Sequence, residues 1–371
     1  MSTAGPPQGA NAPLWGSDAP AARGGQSRTA GPPQGANAPL GGSDAPAARG
    51  GQSRTRVQRR PVHGVLLLDK PYGLSSNDAL QKAKWLLRAE KAGHTGTLDP
   101  LATGVLPLCF GAATKFSQLH LDADKSYEAI AVLGVQTSTG DAEGEVMAEK
   151  PVNFTPEQLL AVVEKFTGPI QQVPPMHSAL KKDGKALYDY ARAGIEVERD
   201  ARDVTIHALA VKEIEPDEQG RRRLQINVTC SKGTYIRTLG EDIGHALGCG
   251  AHLSALRRTV TGPFVAKDCI SLKNLEALTE SEREARLLPV DALLEGHTPV
   301  NLEAEDAGRF LSGLRRRGSW PDCARAAVYG QAPRALLGTA HVKAGELIPG
   351  RLLSPIEIQT ILENPFLEKS A

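Results

Sequence analysis

The segment GHTGTLDPLATGVLP, residues 93–107, carries a single carboxylate, Asp99, among glycines, threonines and small apolar residues. The segment holds no second acid, no cysteine pair and no metal-spaced histidines. An aspartate before a proline is a common way to open a turn. A lone carboxylate can instead act as a nucleophile toward an electrophilic carbon or as a general base. That functional interpretation requires a cation nearby, because burial by itself favours the neutral carboxylic acid.

The segment SKGTYIRT, residues 231–238, could supply the cation. Tyr235 and Arg237 lie two residues apart where a predicted strand meets a predicted helix. In extended backbone such residues share a face, so a ring and a guanidinium could stack a base and hold an anion. A structural tyrosine beside a surface arginine is the alternative. Similarly, His94 is either a solvated loop histidine or a contact for a displaced base or phosphate, and Tyr127 is either core or site.

Charge and cysteine content limit the class of protein. The net charge of +1 is uneven, because seven arginines against two aspartates give residues 1–60 a charge of +5 and leave −4 on the rest. Nucleic-acid binding would therefore use local basic patches. Five scattered cysteines without CxxC spacing favour a reduced compartment over a disulfide framework or a zinc site. Since neither a membrane-length apolar run nor the apolar core of a signal peptide is present, we expect a soluble cytoplasmic protein.

The first 55 residues contain a 26-residue tandem repeat, spanning 4–29 and 30–55, whose copies differ only at Trp15 and Gly41. Glycine, proline, alanine, glutamine and serine dominate it, and this composition offers too little apolar surface to offset the entropy of ordering. We therefore predict that residues 1–60 form a disordered tail. An arginine-bearing arm that weakly attracts phosphate is the alternative.

The elements that must position these residues follow from periodicity. GVLLLDKP (64–71) predicts a buried strand, and the helix after it begins at Ser75, which caps Asp78, and ends at Gly93. Asp99 would then lie in a loop after a helix. The other predicted elements are a central strand at 127–135, a strand at 222–230 that buries Leu224, Ile226, Val228 and Cys230, and a helix that presents Leu239, Ile243 and Leu247 and ends at Gly248. Because strands and helices do not alternate strictly, the pattern favours an α+β fold with a largely antiparallel sheet.

Six segments, in order across about residues 62–260, resemble the bacterial TruB-type tRNA pseudouridine-55 synthases. They are GVLLLDKPYGLSSNDAL, AGHTGTLDPLATGVLPLCFGAATK, DKSYEAIAVLG, MHSALKKDGKALYDYARAG, SKGTYIRTLGEDIG and LGCGAHLSALRRT. The resemblance implies a pseudouridine-synthase-like mixed sheet with flanking helices in a catalytic domain at 61–297. It also implies a small, β-rich, PUA-like RNA-binding domain at 298–371, on weaker similarity. The repeated tail has no counterpart in the family pattern.

The family isomerises a uridine to pseudouridine in the T-loop of tRNA, at position 55, by flipping the base out. The N1–C1′ bond breaks and a C5–C1′ bond forms, without a metal or other cofactor. On this chain the resemblance makes Asp99 the catalytic carboxylate and Arg237 its partner. Whether Asp99 attacks C1′, attacks C6 or acts as a base stays open. The residues that the resemblance places around the substrate are His94, Tyr127, Tyr235, Arg237, Leu256 and Lys70.

Residues 174–194 form a predicted insertion that begins with prolines, continues through a lysine cluster and a short helix, and ends at Gly194. In the family this insertion would be a thumb that grips the tRNA T-arm, with Lys181, Lys182 and Lys185 on phosphates. We expect a monomer without an obligate protein partner. Two other classes are possible: a non-catalytic RNA-binding or tRNA-folding protein, and a hydrolase that uses Asp99. The hydrolase is disfavoured because the sequence shows no general acid or metal partner near Asp99.

Overall fold

A ten-stranded mixed sheet carries most of the buried apolar side chains. The computed structural model describes residues 58–331 and 333–364, so the predicted tail falls outside the described residues up to residue 57. The strands are β1 (Gly64–Lys70), β2 (Ala92–His94), β3 (Ala102–Phe110), β4 (Lys125–Leu133), β5 (Val135–Thr137), β6 (Val146–Glu149), β7 (Gly168–Gln172), β8 (Lys181–Lys182), β9 (Lys185–Ala186), β10 (Arg202–Ile214), β11 (Arg223–Cys230), β12 (Ala251–Thr261), β13 (Phe264–Val265), β14 (Ile270–Ser271), β15 (Thr298–Leu302), β16 (Arg316–Arg317), β17 (Cys323–Gly330), β18 (Ala335–Lys343) and β19 (Glu346–Leu352).

Helices flank the strands and connect them. They are α1 (Ser76–Leu86), α2 (Pro156–Lys165), α3 (Leu187–Arg192), α4 (Ile236–Ala246), α5 (Leu272–Ala277), α6 (Glu280–Glu284), α7 (Ala304–Leu311) and α8 (Pro355–Leu362). Short 3₁₀ turns lie at Gly111–Lys115, Ser117–His120, Ala266–Asp268 and Val290–Leu294. In the part of the chain that the structure describes, every helix is too short or too polar to cross a membrane.

The strand order of the large sheet is β14-β1-β3-β12-β4-β11-β10-β7, with β13 paired to β12 and β2 paired to β3. Within the described part of this sheet, β1–β14 and β3–β12 are the parallel pairs, and the other pairs are antiparallel. Strand β4 lies between β12 and β11, as its apolar sequence predicts. On β11 the residues predicted to face the core, from Leu224 to Cys230, are buried. The predicted α+β fold with a largely antiparallel sheet is confirmed.

The first helix begins where the sequence predicts and ends earlier. The Ser75 hydroxyl accepts a hydrogen bond from the Asp78 backbone N–H at 3.1 Å and caps the helix. The predicted end at Gly93 is wrong, because Arg88 adopts a φ of 53°. The N–H groups of Arg88 and Ala89 then close the helix on the carbonyls of Trp85 and Lys84, as in a Schellman motif.

This early end changes the setting of Asp99. After the turn at Arg88, residues 92–94 pair with β3 as strand β2, so Gly93 lies in a strand. Asp99 therefore lies in a loop, 95–101, between two paired strands, and not in a loop that follows a helix. Because both ends of the loop belong to the sheet, its position relative to the sheet is fixed on both sides.

A second sheet, in the order β15-β17-β18-β19-β16, begins at Thr298, the residue at which the sequence analysis placed the start of its second domain. This sheet has an apolar core of its own. Helix α7 covers that core with Phe310, which is fully buried. A separate apolar core joins the two sheets, since Val65 and Phe116 pack in one cluster with Tyr329 and Leu353.

Candidate active site

Asp99 opens into a cleft of about 310 Å³ at the middle of the large sheet. The loop 95–101, strands β4 and β12, the start of α4 and the base of the insertion form its walls. The predicted site residues that line it are Asp99, Tyr127, Tyr235, Arg237 and Leu256. An adjoining cavity of about 550 Å³ shares Asp99 and Arg237 with the cleft and is lined in addition by His94, Asp141 and His177.

The predicted pairing of Asp99 with Arg237 is present. Arg237 Nε lies 2.9 Å from Asp99 Oδ2, and the side chains are 4% and 35% exposed, respectively. Among the described residues Arg237 Nε has no well-directed hydrogen bond, so this contact is an ion pair. The guanidinium is therefore buried, whereas the carboxylate keeps one open side toward the cleft.

Other groups fix the guanidinium in this position. Arg237 Nη1 donates to the Thr139 carbonyl at 2.8 Å and Nη2 donates to the His177 carbonyl at 2.7 Å. Asp141 Oδ2 lies 3.4 Å from Nη1 and is itself buried. The sequence analysis did not identify Thr139, Asp141 or His177. The signal in the sequence was weak, an aspartate in the turn STGDAEG that resembles any polar hairpin.

The position of Asp99 affects its acidity in two opposing ways. Burial raises the pKa of the Asp99 carboxyl, the Arg237 charge lowers it, and the Asp141 charge raises it further. The net direction is upward from the ordinary value. A carboxylate with a raised pKa is a stronger base than an exposed aspartate, and its one open side makes it available to a ligand in the cleft.

Lys70 lies behind the loop, outside the cleft. It is fully buried, and its ammonium donates to the carbonyls of Pro71 at 2.9 Å, of Leu74 and of Pro100 at 3.3 Å. Burial lowers the pKa of Lys70 to about 8, against the raising effect of the Asp99 charge. Lys70 was grouped with the substrate-binding residues, but within the described residues it lines neither cavity. Its contacts tie the turn 71–74 to the residue after Asp99.

Tyr127 and Leu256 come from the neighbouring strands β4 and β12 and are 8% and 5% exposed. The sheet register pairs Tyr127 with Arg258, a residue that the sequence analysis quoted in LSALRRT but did not select. Arg258 is 1% exposed and lines the cleft. Strand alternation places the two arginines of this motif on opposite faces, and Arg257 pairs instead with Asp69 at 2.8 Å.

Tyr235 and Arg237 reach the same cleft by a different route from the one predicted. Tyr235 is extended, with φ −99° and ψ 111°, but it is the N-cap of α4, so Arg237 lies in the first helical turn. The assumption that both residues are extended is therefore wrong. Gln172 of β7 holds the junction, since its Oε1 accepts from the Tyr235 N–H at 3.0 Å and its Nε2 donates to the Tyr235 carbonyl at 3.3 Å.

His94 lies in β2 and faces the second cavity. The Gly96 N–H donates to His94 Nδ1 at 3.4 Å, so Nδ1 is the unprotonated nitrogen in this arrangement. Burial, and secondly the Arg258 charge, lower the pKa of His94. In this tautomer Nε2 carries the proton, so a neutral His94 can donate one hydrogen bond to a ligand in the second cavity without adding charge to the site.

The insertion forms a small hairpin and a short helix. Strand β8 carries Lys181 and Lys182, strand β9 begins at Lys185, and all three lysines are exposed. The predicted helix is present as the six-residue α3. Lys182 Nζ donates to the Glu198 carbonyl at 2.7 Å, and Lys185 lies 4.7 Å from the centre of the Tyr190 ring. These lysines lie outside the cleft, whereas residues 178–180 of the same insertion line it.

Comparison with known proteins decides the family. The model described as TruB family pseudouridylate synthase (N terminal domain) matches residues 84–236, and the tRNA pseudouridylate synthase B C-terminal domain matches residues 237–295. The tRNA pseudouridine synthase B of Verminephrobacter eiseniae (strain EF01-2) is 66% identical over 310 residues, which cover 83% of this chain and 93% of that protein. The chain belongs to the TruB family. As a TruB-family pseudouridylate synthase it is an isomerase, and the resemblance identified in the sequence is confirmed.

Solved structures support the fold of this TruB-family chain. A Cbf5-Nop10-Gar1 complex contains a chain that is 27% identical, with a TM-score of 0.56 and coverage of 83% of this chain and 82% of that one. The structure of an H/ACA RNP bound to a substrate RNA containing 2′-deoxyuridine contains a chain that is 25% identical, with a TM-score of 0.57 and coverage of 79% and 86%. The predicted pseudouridine-synthase-like architecture is therefore confirmed.

Proposed function

We propose that this enzyme converts the uridine at position 55, in the T-loop of tRNA, to pseudouridine. The printed name of the V. eiseniae relative, tRNA pseudouridine synthase B, supports tRNA as the substrate. The reaction breaks the N1–C1′ bond and joins C5 to C1′, with no change of oxidation state in the protein. It therefore needs a group that can act on a sugar or base carbon and a pocket that holds the uracil while it turns.

The observation that carries the proposal is the one-sided exposure of Asp99. Its carboxylate is held by Arg237 from behind and stays open toward the cleft, at 35% exposure. Because Arg237 is already bonded to two carbonyls, it can hold Asp99 without moving as the reaction proceeds. We propose that Asp99 is the single catalytic carboxylate and acts as nucleophile or base on the flipped uridine.

The walls of the cleft suit an extruded base. A uridine stacked inside a folded loop hides its glycosidic carbon, so it must leave the stack at a cost of about a few kcal/mol. Tyr127, Leu256 and Tyr235 line the cleft into which Asp99 opens. Their packing against the base would compensate for the lost stacking.

Contacts outside the cleft would orient the tRNA. We propose that the exposed lysines of the insertion, Lys181, Lys182 and Lys185, bind phosphates of the T-arm without reading its sequence. We also propose that residues 61–297 act as the catalytic domain and 298–371 as a PUA-like RNA-binding domain. A binding protein without catalysis is less well supported, because an open carboxylate at the floor of the cleft repels phosphate.

The test is to incubate the purified protein with unmodified tRNA and to map pseudouridine at single-nucleotide resolution. We expect one modified position, 55, in each tRNA. A matched tRNA that has cytidine at position 55 should remain unmodified. Modification at another uridine would refute the T-loop assignment, and binding without modification would refute catalysis.

A further inference from the structure

Arg258 is a buried cation without an acidic partner among residues 58–331 and 333–364. It is 1% exposed and ranks among the largest fully buried side chains. Within the described residues it forms no ion pair, whereas its neighbour Arg257 is paired with Asp69 at 2.8 Å. Burying an uncompensated charge is costly, so a chain that has evolved one at the floor of its active site has a functional reason to keep it there.

Backbone carbonyls hold the guanidinium. Arg258 Nε donates to the Val105 carbonyl at 2.8 Å, and Nη2 donates to the Gly96 carbonyl, in the Asp99 loop, at 3.3 Å. Across the sheet Arg258 is paired with Tyr127, so the two side chains share a face of the sheet, and both line the cleft. Arg258 therefore connects the catalytic loop to the aromatic wall of the cleft.

The positive field of Arg258 acts on several titratable groups in and behind the cleft. It contributes to the lowered pKa values of Lys70, His94 and Lys125. Burial raises the pKa of Tyr127, while the Arg258 charge and hydrogen bond lower it. Cys230 on β11 and Asp99 on the loop oppose ionisation of the phenol. Lys125, on the same face of β4, and Arg237 of α4 also line the cleft. Among the cations of the cleft, Arg258 is the one that lowers the pKa of Tyr127 most strongly.

We propose that Arg258 is a positioning residue for Tyr127, which it holds against the cleft and whose oxygen it stabilises as an anion during proton removal from C5. This inference rests on the proposed function. After the C5–C1′ bond has formed, C5 still carries its hydrogen. The ionised Tyr127 oxygen accepts that proton, the C–H electron pair forms the C5=C6 bond, and the C6=N1 π pair moves onto N1. N1 takes up a proton from water and Tyr127 returns its proton to the resulting hydroxide, so atoms and charge balance.

A double-mutant cycle tests the coupling. Single-turnover rates of pseudouridine formation are measured for the wild type, Arg258→Gln, Tyr127→Phe and the double variant. We expect Arg258→Gln to slow the rate at least about tenfold, and Tyr127→Phe to slow it by a similar factor. In the Tyr127→Phe protein, Arg258→Gln should slow the rate less than about twofold further, because its target is absent. Multiplicative effects of the two changes would overturn the proposal.

The pH profile provides a readout that a purely structural role would not change. Loss of the positive charge raises the pKa of Tyr127, so a smaller fraction is ionised at a given pH. The rate should rise in two limbs, an acid limb set by Asp99 and an alkaline limb set by the Tyr127 phenol. The alkaline limb should therefore move to higher pH in Arg258→Gln, by about one unit or more, and should be absent in Tyr127→Phe. An unchanged alkaline limb in Arg258→Gln would contradict the inference.

Two further variants guard against misfolding and against a general effect of removing an arginine. Arg257→Gln removes the adjacent arginine on the opposite face and should leave the rate and the limb unchanged. Arg258→Lys keeps the charge and should keep the limb in place. If melting curves show that Arg258→Gln is unfolded, the cycle is run with Arg258→Met, which also removes the charge but fills the buried site with an apolar chain, and multiplicative effects again overturn the proposal. If the wild-type protein modifies a uridine other than 55, the proposed position is refuted. The double-mutant cycle can still be measured at that other uridine.

Discussion

Basic side chains are buried around the cleft but exposed on the insertion at 174–194. Around the cleft, Arg237, Arg258 and, behind the loop, Lys70 are buried, and each donates to at least two backbone carbonyls. On the insertion, Lys181 and Lys185 are exposed on strands of only two residues. Several hydrogen bonds from each side chain fix the first set, whereas the second set stays accessible to a ligand. The difference indicates that catalysis at the cleft and tRNA binding by the insertion can be changed independently. The following substitutions test this.

Replacement of Asp99 should have the largest effect. We expect Asp99→Asn to slow pseudouridine formation by at least about a thousandfold, because the amide can neither add to carbon nor accept a proton. Since the insertion is untouched, the dissociation constant for tRNA, measured by filter binding, should change little. Asp203→Asn, a change at an exposed residue bonded to Gln171 at 3.2 Å, is the control. Substantial turnover by Asp99→Asn would show that another group performs the step.

Removal of the Arg237 charge should shift the pH dependence of the rate. The pKa of Asp99 is already raised, and Arg237 is the main group that opposes the increase. Without Arg237 the pKa rises further, so the active carboxylate is lost at a higher pH as the solution is acidified. For Arg237→Gln we expect the acid limb of kcat to move up by about 1–3 pH units.

The comparison for this variant is Arg257→Gln, which breaks a different arginine–aspartate pair, the one with Asp69. That variant should keep the acid limb of the wild type. If Arg237→Gln and the wild type lose activity at the same pH, the carboxyl that governs the limb is not Asp99.

Neutralising the insertion should affect binding alone. For the triple change Lys181→Ala, Lys182→Ala and Lys185→Ala we expect KM for tRNA to rise about tenfold while kcat stays within about twofold. The dependence of log KM on log salt should also become shallower by about 2–3, because each lost phosphate contact removes nearly one released counterion. Three exposed lysines outside the insertion serve as a control triple: Lys150, Lys165 and Lys212. A fall in kcat with KM unchanged would mean that the lysines of the insertion contribute to catalysis at the cleft and not to binding alone.

Deletion of residues 1–55 should have the smallest effect. The repeat has too few apolar residues to contribute to a core, so we expect kcat/KM to change less than about twofold and Tm to remain nearly constant. Differential scanning calorimetry and the tRNA assay check this. A clear loss of tRNA affinity at low salt would instead favour the alternative of an arginine-bearing arm.

Much of the framework could be predicted because local signals coincide with the fold. The alternation on β11, the i, i+4, i+8 pattern from Leu239 and the Ser75 cap each depend on neighbours in sequence. The end of α1 could not be predicted, because Arg88 takes a positive φ so that residues 92–94 can pair with β3. The end of α1 is therefore set by pairing with β3 and not by the residues next to it in sequence.

In the site, the resemblance brought Asp99, Tyr127 and Arg237 together, and the structure places all three at one cleft. What surrounds them could not be obtained from spacing. Asp141 and Thr139 meet Arg237 across about 100 residues of chain, and their turn has an ordinary polar sequence. In the sequence nothing distinguishes Arg258 from its neighbour Arg257. Their positions on opposite faces of β12 make Arg258 a buried charge and give Arg257 an acidic partner.

The apolar core shared by the two sheets has a mechanical consequence. Val65 and Phe116 of the first part pack with Tyr329 and Leu353 of the second, and Lys115 Nζ donates to the Leu352 carbonyl at 2.9 Å. A hinge between the parts would have to expose these apolar faces to water. Any RNA segment bound to the second sheet would therefore lie at a constant distance from Asp99. This fixed distance would help to select which uridine enters the cleft, because only a uridine at that distance from the bound RNA segment could reach Asp99.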